Sequence, residues 1–191
     1  MNSPSRIIAL SLCAAVATGA FTAVTHAADP APSPLAAAQK ATTPQQALDR
    51  LVAGNTRFTT GATTKRDFGA EVRNSAPGQY PIASFVACLD SRTSPDYIFD
   101  LGVGQAFVAR VAGNFVNEDI LGSLEFAHKA AGAKLIVVFG HSACGAVKGA
   151  CDDVKLGNLT AALAKIRPAV AAVKDDGSPL REDGRFGNQR E

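Results

Sequence analysis

The chain reads as an α/β domain built on a mainly parallel β-sheet with helices on its faces. Three observations predict this. Short apolar runs, each long enough for one buried strand, occur at Ile82-Ala83-Ser84-Phe85-Val86-Ala87, Gln105-Ala106-Phe107-Val108-Ala109-Arg110-Val111 and Leu135-Ile136-Val137-Val138-Phe139. Stretches of helical periodicity alternate with them, the pattern of parallel strands joined by crossovers. Groups with metal chemistry follow the first and third runs directly, at the strand carboxyl ends where open α/β sheets place their ligands.

The charge balance, +2 over 191 residues with no basic run, offers nucleic acid nothing to bind. Residues 1–27 read as an export signal. Arg6 carries the positive charge, residues 7–24 are apolar, and Thr25-His26-Ala27 resembles a cleavage site. Ser11, Thr18, Gly19 and Thr22 interrupt the apolar stretch and no charge flanks its far side, which argues against a stable membrane anchor. The periplasm is the expected destination. Cys13 leaves with the signal, so Cys88, Cys144 and Cys151 stay. An odd number in an oxidising compartment fits metal ligation better than disulfides, and Cys151 reads as a small buried filler.

In chain order, residues 28–42 are rich in Ala, Pro and Ser without periodicity, a flexible lead-in. Thr43-Pro44-Gln45-Gln46 opens a helix, with Thr43 as N-cap, Pro44 at the first helical position and Gln46 completing a capping box. Ala47, Leu48, Leu51 and Val52 form its apolar stripe, and Gly54 is expected to end it. Residues 55–78 read as loop with one short helix. The first strand covers residues 82–88, a short helix opens at Ser94-Pro95-Asp96, and the second strand covers 105–111. Asn117 caps the next helix, with Glu118 and Asp119 favourably placed against its dipole. Ile120, Leu121, Leu124, Ala127 and Ala131 mark the buried face, and Gly132 closes it. The third strand, residues 134–139, delivers His141. One helix starts near Cys144 and another covers 158–173, bent near Pro168. Residues 174–191 are charged, glycine-rich and aperiodic, a tail expected to be disordered. The folded domain is therefore residues 43–173.

Cys88-Leu89-Asp90-Ser91-Arg92 and His141-Ser142-Ala143-Cys144 carry the chemistry. Two thiols and an imidazole suit a borderline-soft cation, and three protein ligands leave a tetrahedral position open, as in catalytic rather than structural zinc. Two thiolates make zinc a poorer Lewis acid than three histidines would, so another group has to help its water ionise. Asp90 is the candidate, and Arg92 can keep it ionised and oriented through a bidentate pair. His128, the one other histidine left after the signal, is a candidate proton relay, although the helix stripe points it at solvent.

With these residues placed, the chain resembles the β-class carbonic anhydrases. Cys88-x-Asp90-Ser91-Arg92 and His141-x-x-Cys144-Gly145 carry the likeness, supported by Gly54-Asn55-x-Arg57-Phe58, Ile98-Phe99-Asp100, Phe107-Val108-Ala109-Arg110-Val111-Ala112-Gly113-Asn114 and Leu121-Gly122-Ser123-Leu124-Glu125-Phe126. The resemblance covers residues 43–173 and implies a bacterial, exported zinc lyase (carbonate dehydratase) interconverting carbon dioxide and bicarbonate, with zinc-bound hydroxide as nucleophile. It implies one zinc per chain and a homodimer or higher even oligomer. By the same likeness Cys88, His141 and Cys144 are the zinc ligands, and Asp90 with Arg92 is the catalytic dyad. Gln79 matches a glutamine that meets substrate across the dimer interface. Phe107, Ala112 and Phe126 fall on the small apolar pocket, with Phe126 where some members have Tyr. The chain has no tryptophan, so the open, water-bound site is expected over one closed by Asp90. The polar tail stands where family members continue with a further helix and strand, so the usual C-terminal part is expected to be lacking. Two other functions stay open: a truncated, non-catalytic zinc-binding remnant, and a carbon disulfide-type hydrolase on the same scaffold. A redox dithiol of Cys144 and Cys151 has the wrong spacing.

Overall fold

The computed structural model describes residues 34–173. The expected export signal and the polar tail lie outside the described residues. Part of the lead-in is described, and it is helical rather than flexible: helix α1 spans Pro34–Ala41. Its Ala, Leu, Gln and Lys residues are strong helix formers. Buried Gln39 also anchors it, donating from Nε2 to the carbonyls of Pro81 (2.7 Å) and Ala131 (2.8 Å).

Helix α2, Pro44–Thr59, begins as its sequence requires. Thr43 Oγ1 accepts from the Gln46 N–H at 3.2 Å, and Gln46 Oε1 accepts from the Thr43 N–H at 2.9 Å. It does not end at Gly54. A Cβ at that buried glycine would sit 1.9 Å from the Phe99 carbonyl oxygen, so close packing rather than helix termination demands it. Of the expected stripe, Ala47 and Leu51 are buried while Leu48 and Val52 are exposed.

Helix α3, Phe68–Ser75, and the short α4, Pro95–Ile98, flank the first of three strands, β1 Ala83–Ala87, β2 Ala106–Arg110 and β3 Leu135–Phe139. All pairings are parallel, in the order β2-β1-β3. Ala87 pairs with Arg110 on one side and Phe139 on the other, so the strands end level and their loops emerge side by side. Central β1 is buried at every position. On one face Ala83 and Phe85 join Ala47 and Leu51 of α2 in a core that Phe99 extends, its ring 5.2 Å from Phe85 and 5.6 Å from Phe139.

Helix α5, Glu118–Glu125, is capped by Asn117, whose Oδ1 accepts from the Ile120 N–H at 3.0 Å. It runs straight into a π-helical turn, Phe126–Ala130, which the sequence pattern did not predict. Ala127 is buried as expected, but Leu121 is exposed. Helices α6, Gly145–Cys151, and α7, Leu159–Ala172, pack through Ala150, Leu163 and Ile166, with Pro168 inside α7 and half-buried Cys151 ending α6. Among the described residues no helix is long and apolar enough to cross a membrane.

Candidate metal centre

Cys88 is the first residue past β1, His141 the second past β3, and Cys144 the N-cap of α6. Their ligand atoms all lie within 4.8 Å of one another. The two buried Sγ atoms are 3.9 Å apart, close to the ~3.8 Å edge of a tetrahedron with metal–sulfur distances of ~2.3 Å. His141 Nδ1 lies 2.9 Å from the Ser142 carbonyl. A carbonyl can only accept, so the proton sits on Nδ1 and Nε2 carries the lone pair. That Nε2 is buried with no hydrogen-bond partner. An orphaned imidazole nitrogen facing two thiols fits a zinc ion.

The backbone is shaped around these groups. Ala143, between the two donors of the second motif, has φ 53°, a left-handed conformation that costs a non-glycine residue about 1 kcal/mol. Gly113, at φ 78°, gives its N–H to Cys88 Sγ at 3.3 Å, and a Cβ there would meet Ile166 Cδ1 at 2.4 Å. Arg110 holds the other side, donating from Nε to the Cys88 carbonyl (2.9 Å) and from Nη2 to the Asp90 carbonyl (2.5 Å). Sequence reasoning did not single out Arg110 or Gly113 as site residues. Both stand in the Phe107–Asn114 stretch, and an arginine closing an apolar strand was the available signal.

Burial pushes the Cys88 thiol up, but the hydrogen bonds around it, that from the Gly113 N–H foremost, outweigh it and bring it down to about 7. Burial raises Cys144, as does the adjacent Cys88, against the N–H groups of Val147 and Ala146. The pair therefore sheds one proton readily and resists losing the second, a resistance that a divalent cation removes.

Asp90 and Arg92 form the expected bidentate pair, Nε to Oδ1 at 3.0 Å and Nη2 to Oδ2 at 2.7 Å, with the Arg92 N–H adding 2.9 Å to Oδ1. Those bonds hold the Asp90 carboxyl well below the usual carboxylate range. Asp90 Oδ2 stands 4.0 Å from His141 Nε2, so the dyad borders the metal group.

The expected pocket residues are less closely gathered. Phe107 and Phe126 meet edge to face, centroids 6.2 Å apart, on the wall of a hollow of about 610 Å³. Exposed Gln79 lines a different hollow of about 480 Å³, and half-buried Ala112 lines neither. Cys88, His141 and Cys144 line neither of these two hollows. His128 does not face solvent as expected. The π-helical turn brings it inward, half-buried, with Nε2 2.8 Å from Ser84 Oγ.

The family model described as carbonic anhydrase matches residues 83–189. Carbonic anhydrase 2 of Mycobacterium tuberculosis is 36% identical over 142 residues, covering 71% of this chain and 69% of its own length. The carbonic anhydrase of Mycolicibacterium smegmatis is 38% identical over 117 residues, covering 61% of this chain and 57% of its own. Among solved structures, the β-carbonic anhydrase CcaA superposes with a TM-score of 0.54 at 30% identity, covering 71% of this chain and 70% of that one.

Proposed function

The chain belongs to the β-class carbonic anhydrase family, and from that premise we propose that it is a zinc-dependent lyase interconverting carbon dioxide and bicarbonate. One observation carries the reading: the orphaned His141 Nε2, set among the Cys88 and Cys144 thiols with the Asp90 carboxylate 4.0 Å away. Cys88, His141 and Cys144 would hold one zinc. When bound, zinc supplies a Lewis acid at which water ionises near neutral pH.

The chain's own residues place and ready that water. Asp90, kept ionised by Arg92, can only accept hydrogen bonds, so it turns a water's proton toward Oδ2 and the water's lone pair toward carbon dioxide. Arg110 ties the Cys88 and Asp90 carbonyls together, so metal ligand and proton acceptor are held as one unit. Addition of hydroxide to carbon dioxide would form one carbon–oxygen σ bond as one C=O π bond breaks, its electron pair passing to oxygen to give bicarbonate, and the proton released from water would pass to solvent. Phe107, Ala112 and Phe126 are assigned to the apolar pocket for carbon dioxide and Gln79 to its polar contact. The exposed apolar side chains of Ile136 and Val138 on β3 support a homodimer in which each copy completes the other's site.

Stopped-flow hydration of carbon dioxide by zinc-loaded protein tests this. Asp90→Ala should lower kcat/KM on the order of 100-fold with zinc retained, whereas Cys144→Ala should lose the metal as well. Wild-type rates no better than those of the variants would leave a zinc-binding fold without catalysis. We also infer export to the periplasm from residues 1–27. Cell fractionation should find the protein in the periplasm, with Ala28 at its N-terminus by mass analysis, and a protein confined to the cytoplasm with its leader intact would refute export.

A further inference from the structure

We propose that His128 and Ser84 are a positioning pair that sets the aromatic wall of the substrate pocket, an inference resting on the assignment of Phe107 and Phe126 to that wall. Ser84 is the one polar side chain of β1, 1% exposed at the centre of the sheet. A hydroxyl buried so deeply is costly unless it is bonded. Its partner comes from 44 residues away, the Nε2 of His128 at 2.8 Å.

His128 is the middle residue of the π-helical turn, a rare geometry that is frequent at functional sites. The turn straddles two strands. Ala127, 1% exposed, is buried between its two neighbours. Phe126 meets Phe107 of β2, and His128 meets Ser84 of β1. Ser84 and Phe107 are register partners on adjacent strands, so the polar and the aromatic contact lie side by side on one sheet face, and both residues line the same hollow.

The two contacts do different work. An edge-to-face ring contact tolerates a broad range of geometries, whereas a hydrogen bond is directional. Phe126 is 56% exposed, so little besides Phe107 confines its ring. Its place depends on the backbone that carries it, and the His128–Ser84 bond fixes that backbone two residues on. The other long-range tie, from Gln39 to the Ala131 carbonyl, holds the exit of the turn rather than its Phe126 end. Nε2 is engaged by Ser84, which assigns His128 to positioning rather than to a proton relay.

Four zinc-loaded full-chain variants test the proposal: Ser84→Ala, His128→Leu, the double variant, and His128→Gln, whose amide can donate or accept at a similar reach. In the two single variants KM for carbon dioxide should rise by roughly three- to tenfold, more than kcat falls. The double variant should be no worse than either single one, and His128→Gln should recover most of the wild-type KM. Independently of turnover, NMR of ¹³C-labelled phenylalanine should show the Phe107 and Phe126 ring signals displaced in Ser84→Ala and His128→Leu and restored in His128→Gln. Unmoved ring signals with unchanged KM, whatever the loss in Tm, would overturn the proposal. A fall in kcat rescued by free imidazole would overturn it in favour of a proton relay. A wild type without hydration activity would sink the pocket assignment alone; displaced rings would still support the positioning pair, and unmoved rings would overturn it.

Discussion

Asp100 lies in a left-handed conformation, φ 48°, with its side chain 4% exposed. It accepts from Arg57 Nε at 2.5 Å and Thr64 Oγ1 at 2.7 Å, while Arg66 donates to its carbonyl at 2.6 Å. Two of the motif fragments, Gly54-Asn55-x-Arg57-Phe58 and Ile98-Phe99-Asp100, therefore meet here, Asn55 also donating to the Ile98 carbonyl at 3.1 Å. Burial pushes the Asp100 carboxyl up, but the Arg57 and Thr64 bonds outweigh it and bring it down to about 2. A carboxyl depressed in the folded state contributes stability that is full above its unfolded value of about 4 and is lost as pH falls toward about 2. Urea melts at successively lower pH should show that loss across this window for the wild type. Asp100→Asn, weaker at neutral pH, should show less of it, and parallel curves would refute the assignment.

At the scale of elements, α2 poses the sharpest test. Helix propensity alone predicts that Gly54→Ala in its interior gains about 1 kcal/mol. Packing predicts the opposite sign, because the added Cβ would sit 1.9 Å from the Phe99 carbonyl oxygen. Phe99 also contacts Phe85 and Phe139, so any displacement reaches the sheet that carries the metal loops. Gly54→Ala should lose about 1–3 kcal/mol in urea denaturation, the usual cost of overpacking. A stabilised variant would show that the helix can shift freely.

Considered whole, the described part of the chain leaves large apolar side chains in solvent, with Ile136 and Val138 of β3 at 49% and 67% exposure and Leu121 at 51%. Surface of this kind favours association, in keeping with the proposed homodimer. If each site combines one copy's metal group with the other copy's Gln79, the two single-site variants should complement each other. Gln79→Ala and Cys144→Ala homodimers should both be impaired. After random subunit exchange the mixture should recover about a quarter of the wild-type sites, since half the dimers are mixed and each carries one intact site. No recovery despite confirmed exchange would place Gln79 outside the neighbour's site.

Much of this molecule is decided by rules that act over a few residues, and those parts were legible in the sequence. The three strands follow from apolar runs bounded by turn residues. The caps at Thr43 and Asn117 form because both reach an N–H three residues ahead. Asp90 and Arg92 pair from within a single turn, and the grouping of Cys88, His141 and Cys144 was readable because their residue types stand at two strand ends. What only the tertiary structure decided depends on partners far along the chain. A carbonyl on the loop after α4 is what demands glycine at position 54 inside α2, and α1 forms where Gln39 can reach Pro81 and Ala131. Arg110 and Gly113 serve the metal loop only once β2 lies beside β1. His128 turns inward because a buried serine awaits it on the central strand. Periodicity reports which face of an element is apolar, and a single directional bond formed across the fold is enough to override it.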